Sequence, residues 1–257
     1  MLARIVGVFA FLFFALSLAG LVLESFTPKE QRPALRDTYR LLFPMPALAL
    51  EFTERGRGLA DVITNADDSG VRRKLQTGLV ADSLFIALYL LLYVGIALVL
   101  ARRGGAWAVA AALAASCAVG AAASDGAENL ALARLVERHA ARAPTGAQAA
   151  YAETRTNASE APDIKTPGLL KWVLSFATLA LLSLTFWGRG STLAWAAFGL
   201  CAFIALLGFV GLLVLRGSNG ELRPVQVAFT LMLFMLPLVG YVLAFRWWLF
   251  APAEGPR

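Results

Sequence analysis

Six residues carry most of the chemistry this sequence could support: Asp82, Tyr89, Asp125, Glu128, Asn129 and Lys171. Asp125, Glu128 and Asn129 lie in the stretch SDGAEN, at the end of a run that is otherwise nearly all alanine. At helical periodicity these three share one face, and Asp82, Phe85, Tyr89 and Tyr93 share another. The aspartates Asp82 and Asp125 each stand about 21 residues from a turn centred between Arg103 and Gly104, so an antiparallel helix pair places them at the same depth. If the two faces meet, three carboxylates, an amide and two phenols converge.

Carboxylates gathered in a partly dehydrated place need a counter-charge: a bound cation, shared protons or basic side chains. Lys171 is the preferred partner because its height is fixed by an apolar segment. Lys165, Arg216, Arg223 and the run from Arg72 to Lys74 are the other basic side chains near that level. The simplest reading is an ion-pair and hydrogen-bond network that locks the hairpin. The functional readings are an oxygen-ligand site for Ca²⁺ or Mg²⁺ built on Asp82, Asp125 and Glu128, a site for a polar head group, a proton-linked carboxylate, or general acid and base work on a lipid. In the binding readings Tyr89 donates a hydrogen bond beneath the acids and Lys171 balances charge or meets an anionic group.

Other chemistries find little support. The single histidine, His139, sits in an arginine-rich stretch, which disfavours a histidine-based zinc hydrolase or a bis-histidine haem protein. No Walker loop, nucleophile elbow or dinucleotide fingerprint occurs, so neither haem nor nucleotide is expected. Cys117 and Cys201 fall inside apolar segments and read as small packing residues.

The elements that must position these residues are membrane helices. A 257-residue chain with 59% apolar residues and a mean hydropathy of +0.68 is too apolar for a water-soluble globule. Six stretches are long enough to cross a hydrocarbon core: about 5–23, 79–101, 106–124, 169–186, 192–215 and 225–245. The expected fold is therefore all-α, a single six-helix transmembrane bundle. Loops over 24–78 and 126–168 lie on the outer side, the first carrying an interfacial helix with Leu35, Tyr39 and Leu42 on one face. The second and third helices extend outward beyond the hydrocarbon, through VRRKLQTG and LALARLVERHAAR. The third span, rich in alanine, is expected to be central and closely packed; the Leu- and Phe-rich fourth to sixth spans are expected to face lipid. Pro237 is expected to kink the sixth.

With both termini cytoplasmic, that face holds six basic residues against one acid, Glu254, a net charge of about +5 against about +1 for the opposite face. Five of the six tryptophans then fall at the cytoplasmic interface, with Trp172 at the other. The overall charge of +6 thus reads as a topology signal and not as a nucleic-acid footprint. Alanine, leucine and arginine usage points to a bacterial inner membrane with the large loops in the periplasm.

The paired motifs D-x2-F-x3-Y (Asp82, Phe85, Tyr89) and D-x2-E-N (Asp125, Glu128, Asn129) resemble a pattern in uncharacterised polytopic bacterial inner-membrane proteins. The similarity covers the second and third spans best, with ALEF around Glu51 as a further element, and it implies no activity. The sequence therefore supports three functional classes: a protein that binds a cation or polar head group, an enzyme modifying a lipid or isoprenoid, and a non-catalytic scaffold or assembly subunit. The lipid bilayer is the one common partner, alongside a lipid ligand or a membrane-protein partner.

Overall fold

A computed structural model of the chain describes residues 2–25, 69–141, 147–188, 191–217 and 223–245. Among the described residues the fold is all-helical, with α1 (Leu2–Ser25), α2 (Ser69–Ala101), α3 (Gly105–Ala141), α4 (Ala147–Phe186), α5 (Thr192–Gly217) and α6 (Arg223–Phe245). Each contains a segment long and apolar enough to cross a membrane: Leu2–Gly20, Thr77–Ala101, Gly105–Arg134, Thr166–Phe186, Thr192–Val214 and Arg223–Ala244. The expected interfacial helix around Tyr39 and the ALEF element lie outside the described residues. The third helix runs outward to Ala141 as expected, whereas the expected outer loop is helical from Ala147 up to 168 as well, because α4 begins there.

Each helix packs against its neighbour in sequence, and α1 also packs against α6, so the six close into a ring. Weaker contacts of α2 with α4 and α6 fill the middle. Helices gain no hydrophobic driving force for association within lipid, so close approach must come from shape, and glycines supply it. At the seam of α1 and α2, a methyl group on Gly95 would stand 2.7 Å from Val6 Cγ2. Gly120 of α3 receives Leu174 of α4, Gly208 of α5 receives the Phe176 ring of α4, and Gly211 of α5 lies against Val225 of α6. Gly240 of α6 closes the ring against Leu92 of α2 and Ala10 of α1.

The alanine-rich α3 is closely packed along one face, where Ala111, Ala114, Ala118 and Ala121 are buried and the Thr178 hydroxyl of α4 reaches the Ala114 carbonyl at 3.4 Å. It is not central. Only 28% of its most apolar window is buried, whereas α4 and α6 reach 56% and 50%. The expected division into a buried third span and lipid-facing fourth to sixth spans is thus corrected: small side chains permit one close neighbour without requiring burial all round, and leucine suits lipid and protein interior alike. Trp172 is likewise turned inward, packed on Phe176 and edge-on to Phe229 of α6, with only 3% of its surface exposed. Pro237 is buried within α6, which continues past it.

At one end of the bundle two tight turns are tied together. Gly104 and Gly105, at φ of 78° and 56°, supply the left-handed backbone that reverses the chain between α2 and α3, and Gly188 at 70° follows α4. Ser191 caps α5 through its hydroxyl, which accepts from the Ala194 amide at 3.1 Å. The Arg103 guanidinium donates to the carbonyls of Trp187 at 2.9 Å and Gly188 at 3.2 Å, and lies 3.7 Å above the Trp107 ring. Trp107 Nε1 donates to the same Trp187 carbonyl at 3.2 Å. Three side-chain donors, two of them from one guanidinium, thereby satisfy the Trp187 and Gly188 carbonyls just past the C-terminus of α4.

Candidate functional site

The acids gather near the opposite end of the membrane-spanning segments of α2, α3 and α4. Helical spacing splits the polar face of α3 into two directions. Asp125 and Glu128 meet α4: Lys171 Nζ lies 3.0 Å from Asp125 Oδ1 and 2.9 Å from Glu128 Oε2. Asp125 and Asn129 meet α2: the Tyr89 hydroxyl donates to Asp125 Oδ2 at 3.1 Å, and Asn129 Nδ2 donates to Asp82 Oδ2 at 2.7 Å. Four of the six residues singled out from the sequence, Tyr89, Asp125, Glu128 and Lys171, thus join one network with Asp125 at the junction of three helices, and Asp82 and Asn129 form a hydrogen-bonded pair beside it.

Burial is graded across it. Asp125, Glu128 and Lys171 are 5%, 1% and 7% exposed, whereas Asp82 and Asn129 are half-buried and form a rim. Exposed residues near that rim are of mixed size: Gly78, Ala81 and Ser83 stand beside Val80 and Leu84 on α2, and Gly126 and Ala127 beside Leu130 on α3. The Lys171 ammonium is engaged by two carboxylates and stands 5.4 Å from the Trp172 ring centroid, while the hydrogen bond recorded for Asp82 comes from a neutral amide. Of the other basic residues considered, Arg223 is exposed at the start of α6; the side chains of Lys165, Arg216 and Arg72 to Lys74 lie outside the described set.

Beneath the network runs an aromatic ladder. Phe13 of α1 stacks on Phe85 at 4.9 Å, Phe85 meets Tyr89 edge-on at 5.8 Å, and Tyr89 meets Tyr93 at 5.9 Å. The ladder holds the Tyr89 ring between Phe85 and Tyr93, with its hydroxyl on Asp125. Tyr93 is 2% exposed, and its hydroxyl has no hydrogen-bond partner among the described residues. Phe13 was not foreseeable from the sequence, since one apolar residue of α1 looks like any other until α1 is placed beside α2.

Chemically the arrangement can hold a positive or hydrogen-bonding group at the rim, with one lysine bridging two carboxylates behind it. Among the described residues no three acidic, histidine or cysteine side chains are grouped so as to enclose a metal ion. Cys117 and Cys201 are free thiols, the latter buried in α5. No family model matches the chain, and neither a curated protein nor a solved structure shows significant similarity to it.

Proposed function

We propose that this integral membrane protein binds a cation or a polar lipid head group at the Asp82 rim of the carboxylate network. One observation carries the reading: Asp82, inside a segment apolar enough to span a membrane, is half-buried and hydrogen-bonded to an amide, while the nearby ammonium of Lys171 contacts Asp125 and Glu128. A carboxylate at such a depth is costly unless something compensates it, and Asp82 keeps part of its surface open to a ligand. In this reading the chain sits in a bacterial inner membrane, with the acid end towards the periplasm and both termini in the cytoplasm. It stands beside the polytopic proteins that share its paired motifs, and Ca²⁺ and Mg²⁺ are the metal ions to test.

The test is the thermal stability of the reconstituted protein with and without Ca²⁺, Mg²⁺ and lipids bearing amine or glycerol head groups. One of these ligands raises the melting temperature of the parent and not of Asp82→Asn. Equal responses of parent and variant to every ligand would defeat the binding reading.

A second reading has its own support. Because Lys171 already bridges two acids on α3, the network also suits a permanent lock in a scaffold or assembly subunit. Under that reading Asp82→Asn leaves every ligand response unchanged and a partner protein co-purifies with the chain.

A further inference from the structure

The seams of the helical ring are not built alike. Five of the six have a glycine notch filled by a side chain of the neighbouring helix, so that parting them means withdrawing a knob from its hole. The seam between α2 and α3 has no such notch among the described residues. Gly126 faces open space, as does Gly78, and the glycines of the turn are occupied with reversing the chain. What spans this seam near the acid end is polar: Tyr89 to Asp125 and Asn129 to Asp82. At its other end α2 and α3 are joined by the short turn that Arg103 and Trp107 tie to the end of α4.

A seam tied firmly at its turn, without a glycine notch among the described residues and crossed by two hydrogen bonds near the other end of its apolar segments has the construction of a hinged latch. We propose that α2 and α3 part at the acid end, pivoting about the Arg103 clamp, and that the Tyr89 and Asn129 hydrogen bonds are the catch. Parting carries Asp82 away with α2 and leaves Asp125 and Glu128 on α3, still paired with Lys171, because the α3 and α4 seam is notched at Gly120. The opening lies between segments apolar enough to span a membrane and so faces sideways into the lipid. The motion does not depend on a ligand at Asp82: a protein that binds nothing can still open, and a rigid one can still bind.

Spin labels at exposed positions read the motion directly in nanodiscs, with Cys117 and Cys201 replaced by alanine. Val80 and Leu130 report the acid end of the seam, Leu98 and Val109 its clamped end, and Leu130 and Leu170 the notched seam of α3 and α4. In Tyr89→Phe with Asn129→Leu, the Val80 to Leu130 distances gain a longer population that is absent or minor in the parent, while the other two pairs keep single, unshifted distributions. Tyr89→Phe alone gives a smaller version of the same change and serves if the double variant does not fold. An unchanged Val80 to Leu130 distribution in both variants overturns the proposal, as does equal broadening of all three pairs.

Discussion

The two ends of the α2 and α3 hairpin solve the same problem, a charged group on a membrane helix, by opposite means. At the turn, Arg103 keeps its charge beside exposed tryptophans, stacks on one ring and spends its donors on backbone carbonyls. At the acid end, Asp125 and Glu128 are buried within or beside apolar segments and are matched by a side chain from a third helix. The clamp is local, using two adjacent turns. The network is distributed, and each of α2, α3 and α4 leaves it incomplete if removed. Loss of one member should therefore cost far more at the acid end than at the turn.

The largest effect is expected from Lys171→Met, which strips the buried cation from Asp125 and Glu128. Breaking such a pair from one side costs about 3 kcal/mol, read as a fall in unfolding free energy in detergent, with the buried Cys201 thiol as the reporter of unfolding. Adding Asp125→Asn and Glu128→Gln to Lys171→Met should recover most of the loss, since neutral groups of the same shape need no counter-charge. If the triple variant is no more stable than the single one, the lysine acts by packing and not by charge.

A middle effect belongs to Tyr89→Phe, which removes one hydrogen bond to Asp125 and leaves its ion pair intact. About 1 kcal/mol is expected for an interhelical hydrogen bond within a membrane. The smallest belongs to Arg103→Gln, about 0.5 kcal/mol, because a partly exposed cation over an aromatic ring contributes little and water can take its place at the carbonyls. A ranking in which Arg103→Gln costs more than Lys171→Met would reverse the contrast between the two ends.

Much of this site was legible in advance because it depends on counting. The hairpin rule placed Asp82 and Asp125 level, and Lys171 at the start of the fourth span was the nearest cation of fixed height. The register came out one to two turns away: Asp82 meets Asn129, four residues beyond Asp125, and Asp125 meets Tyr89, seven residues beyond Asp82. The reason is side-chain direction. Side chains lean towards the N-terminus of their own helix, so those of α2 reach away from the turn and those of α3 reach towards it, and partners on α3 must start further along.

Burial was less legible. Hydrophobicity separates helix from water, but inside a membrane it does not separate core from lipid, so α4 and α6 could not be recognised as the most buried helices from their leucines. The glycine notches were equally silent, because Gly120 is a notch and Gly126 is not, and only the placement of α4 tells them apart. The arginines of the α2 and α3 turn were read for their charge; the carbonyl clamp made by Arg103 needed the end of α4 beside it.

The central claim is that Lys171 is committed to the two inner acids, Asp125 and Glu128, and leaves the Asp82 rim for a ligand. An experimental density map of the protein in a lipid nanodisc tests it most directly. The account predicts the Lys171 side chain between Asp125 and Glu128, with non-protein density within hydrogen-bonding distance of Asp82. A Lys171 side chain turned away from both acids, or an Asp82 carboxylate contacted by protein atoms alone, would contradict it.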